Sequence, residues 1–274
     1  MTSASTTTCY RHPDRQTGRH CTRCGRPACA DCLREASVGA HCVDCVRASV
    51  PTTAERVRLR WRDEHMLATK VIVGITVAAY LLISAHDGGP AGTGTLSRDL
   101  ALYGPAVHNG EWWRLFTSSL VHYGLIHILF NMLILWQVGM ILEPGAGKAR
   151  FATLYVVSVL GGSAGALLMT PNAFTGGASG GVFGVAAAAT LVMHRQGVRF
   201  WDTGFGPLLV INLALGLFLP GISIGGHIGG LVAGTLAAEA MLQARKTGQP
   251  ALGYVGAAFV GGASILIALS VAGT

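Results

Sequence analysis

The chain has 274 residues, of which 51% are hydrophobic and 12% are charged. Soluble domains contain roughly 25% charged residues and about 7% glycine, whereas 38 glycines are present here. This composition excludes an ordinary soluble domain and favours a membrane protein whose helices pack closely. The seven cysteines all lie between Cys9 and Cys45, so a small cysteine-rich head precedes an apolar body.

The head begins after a polar tail, residues 1–8, which we expect to be disordered. The tail shows no secretory signal, so we expect the head to stay in the cytosol, where thiols remain reduced. Residues 9–47 contain four pairs of ligands, which are enough for two tetrahedral zinc ions. The odd number of cysteines argues against a disulfide framework. The eight ligands are Cys9, His12, Cys21, Cys24, Cys29, Cys32, Cys42 and Cys45.

The spacing of these pairs resembles that of B-box zinc fingers, in which successive pairs alternate between two ions. His41 adjoins Cys42 and is an alternative ligand at that position. We expect this module to bind a protein partner or the membrane part, and to have no catalytic role. The resemblance implies one site of Cys9, His12, Cys29 and Cys32 and another of Cys21, Cys24, Cys42 and Cys45.

A basic linker, residues 48–66, leads to the first apolar segment, and its arginines favour the anionic cytosolic leaflet. Seven apolar segments follow. The fourth and fifth are shorter than the ~20 residues that cross a bilayer, so they are either re-entrant or begin below the surface in a protein-lined cavity. The segments cover about 67–86, 114–142, 151–170, 180–193, 206–220, 224–243 and 251–272.

Loop charges predict a multi-pass protein of the cell membrane with a cytoplasmic N-terminus and an extracytoplasmic C-terminus. In this orientation the external loops contain only Arg98 and Arg114 as basic residues. The external stretch from Asp87 to about Leu120 is too long for a simple turn, so we expect it to contain structure of its own. The basic residues of the cytosolic loops are Lys148, Arg150, Arg195, Arg199, Arg245 and Lys246.

Ser179 and His227 lie in glycine-rich runs at the start of the fourth and sixth apolar segments. Polar groups at membrane depth are costly unless they are paired, so they indicate a functional site. A serine and a histidine are the parts of a nucleophile and its base. The alternative for each is structural: a small-residue packing site for the serine and a hydrogen-bonded core residue for the histidine.

Glycine repeats predict how the two segments meet. Gly226, Gly230 and Gly234 recur at every fourth residue, and Gly180 and Gly184 form a matching pair on the fourth segment. Such smooth faces allow two helices to pack backbone to backbone. Contact between them would bring the serine and the histidine within hydrogen-bond reach.

His127 and Asn131 are four residues apart on the second segment, so they share one helix face. Both can donate hydrogen bonds to an oxyanion, together with the backbone N–H of Ser179. The alternative is hydrogen bonding between helices. The carboxylate of Glu239 is ~18 Å along the helix from His227, so the sequence predicts a Ser-His dyad without an acid.

These residues together resemble the rhomboid family of intramembrane serine proteases. The family carries tyrosine or phenylalanine where Phe183 stands, one turn after the serine, and this ring could hold the histidine in place. The matching motifs are GxSG at Gly177–Gly180, HxxxxHxxxN at His122, His127 and Asn131, the histidine segment Gly226–Gly230, and a WR motif at Glu111, Trp112, Trp113 and Arg114.

The resemblance implies an all-α polytopic membrane protein with a six-helix rhomboid core, residues 67–244, and a seventh transmembrane helix in 245–274. It implies an intramembrane serine endopeptidase that cleaves transmembrane or membrane-adjacent proteins near the extracytoplasmic face. Ser179 and His227 would be catalytic, and Ser179, His127 and Asn131 would stabilise the oxyanion. No catalytic cofactor and no nucleic acid are expected. Supporting positions would be His122, Phe183, Glu111, Trp113, Arg114, Gly177 and Gly180.

Two other functions fit parts of the pattern. A catalytically inactive rhomboid-like protein would bind or scaffold membrane proteins, but the intact serine and histidine argue against it. A small transporter with a polar midplane site is disfavoured because the membrane segments contain almost no carboxylates for ion coupling and show no inverted repeat.

Overall fold

The computed structural model describes residues 7–36, 39–49, 66–198 and 223–273, together with residues 207, 210, 211 and 214. It forms two compact units, Met1–Glu64 and His65–Thr274, and each is described by itself. Most of the fifth predicted apolar segment, 206–220, lies outside the described residues, as does most of the basic linker.

The described residues of the first unit form two short hairpins, a 3-10 turn at Ala30–Cys32 and a helix. Strand β1, Thr7–Thr8, pairs with β2, Gln16–Thr17, and β3, Leu33–Glu35, pairs with β4, Ala40–Cys42. Helix α1, Val43–Ser49, follows. The expectation of disorder throughout residues 1–8 is therefore wrong for Thr7 and Thr8, because their backbones pair with the second strand.

The buried residues of this unit are mainly its cysteines, packed with Ala28. A domain of this size cannot bury enough apolar surface to be stable alone and normally needs metals or disulfides. All seven cysteines are free thiols. The fold of this unit therefore depends on what its thiols bind.

The second unit is helical. Between its first and second long helices lie three short ones and a 3-10 turn, Ser118–Leu120, which confirms that the 87–120 stretch contains structure of its own. The helices are α2, Leu67–His86; α3, Thr95–Leu100; α4, Gly104–His108; α5, Arg114–Thr117; α6, Leu125–Ala146; α7, Lys148–Met169; α8, Ser179–Arg195; α9, Ile224–Lys246; and α10, Pro250–Val271.

Four of the described helices, α2, α6, α7 and α10, are long and apolar enough to cross a membrane. Helix α6 is separated from α5 because Gly124 has a φ of 92°, a conformation that favours glycine. Residues 114–120 therefore belong to the connection between α2 and α6 and not to the long helix α6. The prediction of an all-α polytopic membrane protein is confirmed.

Helix α8 lies at the centre of the second unit and contacts α6, α7 and α9. Its 17 residues extend ~26 Å at 1.5 Å per residue, which is shorter than the ~30 Å hydrocarbon core. Most of its side chains are buried. Helix α9 contacts α7, α8 and α10, so α7, α8 and α9 form the core of the bundle.

Helices α8 and α9 meet backbone to backbone through the glycine faces that the sequence predicts. A Cβ atom at Gly230 would overlap the backbone of Gly180, and one at Gly234 would overlap the backbone of Gly184. Only glycine permits this approach.

Helix α7 contributes a second glycine surface that the sequence analysis did not identify. A Cβ at Gly161 would lie 2.8 Å from the carbonyl oxygen of Gly229, and a Cβ at Gly165 would overlap the carbonyl of Gly225. A Cβ at Gly162 would lie 3.0 Å from the Cα of Gly180. The glycines of α7 therefore hold α8 and α9 together from one side.

Glu143 near the end of α6 is buried and caps the start of α2. Its carboxylate accepts hydrogen bonds from the backbone N–H groups of Ala68 and Thr69, both at 2.8 Å, and from the Thr69 hydroxyl at 2.6 Å. The residue before α2, Met66, provides no side-chain cap. A carboxylate from another helix therefore satisfies the N–H groups that a helix start leaves unpaired.

The glycine contact predicts opposite effects for the same substitution at two helical sites. Gly234→Ala should lower the thermal unfolding temperature of the protein in detergent, because its Cβ overlaps Gly184. Gly262→Ala is the control: a Cβ there meets nothing within 4 Å, so it should leave stability unchanged or raise it by up to ~1 kcal/mol through helix propensity. Equal unfolding temperatures for the two variants would contradict the packing described here.

Candidate active site

The Ser179 hydroxyl and the His227 imidazole form a buried hydrogen-bonded pair. Ser179 begins α8 and His227 lies in the first turn of α9, and the distance from Oγ to Nε2 is 2.9 Å. Because Nε2 accepts the hydroxyl proton, Nδ1 carries the ring proton, and it has no hydrogen-bond partner among the described residues. This pair can act as a nucleophile and a base without a third, acidic residue.

Phe183 supports the histidine ring. It lies one turn after Ser179 on α8, is buried, and stacks on the His227 ring with 4.3 Å between centroids and 27° between planes. A stacked ring restricts the rotation of the imidazole, which is the role that an acid performs in a triad.

Ser223 begins α9 and was not singled out from the sequence. Its hydroxyl accepts a hydrogen bond from the Gly226 backbone N–H at 3.1 Å. This is an N-cap, and a serine three residues before a glycine-rich helical repeat is the signal for it. The cap determines where the helix carrying His227 starts.

His127 directs one ring nitrogen into the space beside Ser179. Its Nδ1 accepts a hydrogen bond from the Tyr123 backbone N–H at 3.3 Å, so Nε2 carries the proton. Nε2 is buried without a partner among the described residues. A Cβ at Gly177, which has a φ of 134°, would lie 2.9 Å from this nitrogen. His127 therefore offers a buried, unpaired donor to the space beside Ser179, which is the arrangement that an oxyanion would require.

Asn131 is fully buried, but its amide nitrogen donates to the His127 carbonyl oxygen at 2.9 Å, within its own helix. Its Oδ1 has no partner among the described residues. One amide N–H is therefore committed to α6 and one remains for another acceptor. No hydrogen bond in the described part of the chain joins Asn131 to Ser179.

His122 holds the backbone that precedes the serine. Its Nε2 accepts a hydrogen bond from the Ala178 N–H, and its Nδ1–H donates to the Leu120 carbonyl oxygen, both at 3.3 Å. The ring also meets His127 edge to face, with 5.0 Å between centroids. His122 thus connects the loop before α6 to the start of α8.

Arg114 holds together the connection between α2 and α6. Its Nε donates to Glu111 at 2.7 Å, and its Nη1 donates to the carbonyl oxygens of Arg98 and Ala101. The guanidinium is buried, and buried charges are stable when paired and hydrogen-bonded in this way. Trp113, its predicted companion, is instead 43% exposed, as expected of an aromatic residue at a membrane–water boundary.

A small polar cavity of about 40 Å³ adjoins the serine. Since one water needs ~10–15 Å³ of such space, the cavity has room for a few water molecules. Its side-chain hydroxyls belong to Ser118, Ser119, Ser163, Thr175, Ser179 and Ser223.

The sequence model of the Rhomboid domain family matches residues 109–244. The chain is 33% identical to Rhomboid protease GluP of Bacillus subtilis over 206 residues, 74% of this chain and 39% of that protein. It is 37% identical to RHOMBOID-like protein 1 of Arabidopsis thaliana over 136 residues, 47% of this chain and 34% of that protein. It is 33% identical to RHOMBOID-like protein 5 of Arabidopsis thaliana over 177 residues, which are 61% of this chain and 54% of that protein.

The chain belongs to the rhomboid family. It spans between about a third and about a half of the length of these relatives. The matched rhomboid domain contains the serine–histidine pair and the histidines of α6 and its preceding loop. The cysteine-rich unit and α10 lie outside the matched residues.

The cysteine-rich unit contains two groups of residues that could each hold a metal ion, divided as the B-box resemblance implies. In the first group, His12 Nδ1 lies 3.8, 3.4 and 3.4 Å from the sulfurs of Cys9, Cys29 and Cys32. Tetrahedral zinc with Zn–S of about 2.3 Å and Zn–N of about 2.05 Å gives ~3.6 Å between sulfur and nitrogen. The group therefore fits a tetrahedral metal ion.

The second group consists of Cys21, Cys24, Cys42 and Cys45. Its Cys24 and Cys42 sulfurs lie 3.8 Å apart, which matches ~3.8 Å between two sulfurs on tetrahedral zinc. Cys42 thus belongs to this group of possible metal ligands, and His41 does not.

At Cys21 and Cys9, backbone hydrogen bonds favour the thiolate form, which is the form that binds metals. Although burial raises the pKa of the Cys21 thiol, backbone N–H groups including that of Cys42 lower it to about 6. Burial also raises the pKa of the Cys9 thiol, but backbone N–H groups, chiefly that of Cys29, lower it to about 6.

The ligand geometry predicts different zinc contents for two adjacent substitutions. Cys42→Ser should reduce the zinc content of the purified full chain from two ions to one, whereas His41→Ala should retain both. Elemental analysis per mole of protein measures this. If His41→Ala loses an ion and Cys42→Ser does not, the ligand at this position is the histidine.

Proposed function

We propose that this rhomboid protein is an intramembrane serine endopeptidase that cleaves transmembrane or membrane-adjacent proteins near the extracytoplasmic face. The observation that carries the proposal is the 2.9 Å contact between Ser179 Oγ and His227 Nε2, buried between two helices of the rhomboid domain. An inactive relative that only binds membrane proteins has no need of this geometry.

In the proposed reaction, Ser179 Oγ attacks the carbonyl carbon of the scissile peptide while His227 Nε2 takes the hydroxyl proton. The carbonyl electrons move to its oxygen and form a tetrahedral oxyanion. His227 then gives the proton to the leaving amine as the C–N bond breaks. Water attacks the carbonyl carbon of the resulting ester while His227 takes a proton from it. His227 then gives this proton to Ser179 Oγ as the ester C–O bond breaks and the acid leaves.

Three donors are available for the oxyanion: the Ser179 backbone N–H, His127 Nε2–H and the remaining N–H of Asn131. The first belongs to the start of α8, where backbone N–H groups are unpaired. The second is buried and unpaired among the described residues. This chemistry requires no cofactor.

The proposed orientation of the protein in the membrane is inferred from the residues at the two ends of α8 and of α9. Both helices carry the reactive residues at their N-terminal ends and basic residues, Arg195, Arg245 and Lys246, at their C-terminal ends. Basic ends face the cytosol, so the reactive ends face outward. The N-terminus is then cytoplasmic, and α10 brings the C-terminus to the extracytoplasmic side of the cell membrane.

We further propose that the two ligand groups hold structural zinc, one ion each, and that residues 9–47 bind a protein partner. In this division, residues 67–244 form the protease core, and 245–274 add a seventh transmembrane helix. Protein substrates and the lipid bilayer are the partners of the core.

Proteolysis in liposomes tests the proposed function. The parent chain should cleave a co-reconstituted single-span model substrate, and Ser179→Ala and His227→Ala should abolish cleavage. Ser264→Ala is a matched control, because this buried serine only donates to the Val260 carbonyl of its own helix. Cleavage by Ser179→Ala at the parental rate would show that another residue is the nucleophile, and failure of the parent to cleave any of a panel of substrates would favour the inactive relative.

The proposed oxyanion donors predict a graded effect on turnover. Removing one such donor typically lowers kcat by ~10²–10³, so His127→Ala and Asn131→Ala should each lower kcat in this range with a smaller change in KM. Initial-rate kinetics on the same substrate measure both constants. An Asn131→Ala enzyme with parental kcat would show that Asn131 serves only its hydrogen bond within α6.

The proposed orientation predicts from which side the site is reached. In a variant that lacks every natural cysteine, Ser179→Cys should react with a small polar thiol reagent added outside intact cells. The reagent should not react when it is confined to the cytosolic side. Labelling only from the cytosolic side would reverse the orientation and the face at which substrates are cut.

A further inference from the structure

A second cavity lies at the end of the bundle away from Ser179. It has a volume of about 370 Å³ and is formed by α6, α7, α8 and α9, which is within the range of about 300–1,000 Å³ for ligand sites. Its walls are mainly aliphatic and include Leu142, Leu154, Val192 and Met241. These walls fit a hydrocarbon chain rather than a water-soluble metabolite.

In the described part of the chain, the charged residues that line this cavity are two arginines, Arg150 and Arg245. Arg150 donates from Nη1 to the Ala146 carbonyl oxygen at 3.1 Å, which holds its guanidinium at the end of α6. The neighbouring carboxylate of Glu239 does not line the cavity and is paired with Arg195. Among the described residues, the cavity therefore combines an apolar interior with a positive edge that is lined by no carboxylate.

An anionic phospholipid fits both the apolar interior and the positive edge of this cavity. Guanidinium groups bind phosphate oxygens through paired, charge-assisted hydrogen bonds, while an acyl chain fills an aliphatic cavity. Basic pockets between membrane helices on the cytoplasmic side are recognition sites for such lipids. The end of the bundle that carries Arg150 and Arg245 is the one that loop charges assign to that side.

We propose that this cavity binds one anionic phospholipid, with an acyl chain between α6, α7, α8 and α9 and the phosphate on Arg150 and Arg245. The site is separate from the serine–histidine pair, at the opposite ends of α8 and α9. The proposal does not depend on protease activity.

Native mass spectrometry of the full chain in detergent, titrated with phosphatidylglycerol, tests the proposal. Each basic residue near such a charge contributes about 1 kcal/mol, so Arg150→Gln/Arg245→Gln should weaken binding by about 30-fold, equivalent to about 2 kcal/mol. Lys148→Gln/Lys246→Gln removes the same charge at the same helix ends, but neither lysine lines the cavity. This control should bind within about two-fold of the parent.

The apolar part of the site needs its own variant. Val192→Trp fills the cavity and keeps both arginines, so it should lose phosphatidylglycerol binding. Phosphatidylcholine with identical chains should bind the parent at least ten-fold more weakly, and glycerol phosphate should not saturate the site at the same concentrations. The proposal would be overturned if the two lipids bound equally well or if both double variants lost binding equally. It would also be overturned if a Val192→Trp variant that unfolds at the parental temperature kept full binding.

Discussion

The contact on which the rest of the membrane unit depends is the glycine interface between α8 and α9. Gly180 and Gly184 contact Gly230 and Gly234 without intervening side chains. The glycines of α7 pack against both helices. In a bilayer, such close packing replaces the hydrophobic driving force that holds soluble helices together. The same approach brings the first turns of α8 and α9 together, so the hydrogen bond between Ser179 and His227 is a direct consequence of how the helices pack.

The surrounding elements hold this arrangement in position. His122 accepts from the N–H of the residue before Ser179, Ser223 caps the helix that carries His227, and Phe183 stacks on its ring. Arg114 holds together the connection between α2 and α6 through hydrogen bonds to its carbonyl oxygens. The geometry of the pair therefore comes from backbone and packing contacts. Among the described residues no acid contacts His227, and an additional buried charge would be costly there.

Much of this could be predicted because the signals are local. Ligand spacing predicts the metal groups, apolar length predicts the helices, and a glycine every fourth residue predicts the α8–α9 contact. The cap formed by Glu143 on α2 could not be predicted, because its partners at Ala68 and Thr69 are more than seventy residues away in sequence. The hydrogen bond of Asn131 inside α6 was missed because helix-face geometry does not reveal which acceptor an amide selects.

The central claim is that Ser179 is a nucleophile activated by His227. Its most direct measurement is peptide mass spectrometry of the full chain in membranes after reaction with a fluorophosphonate, with the rate of adduct formation followed over time. The account predicts one phosphonyl group per chain, on Ser179, and a rate that falls by orders of magnitude in His227→Ala. An adduct on a different serine, or a rate that does not change when His227 is removed, would contradict it.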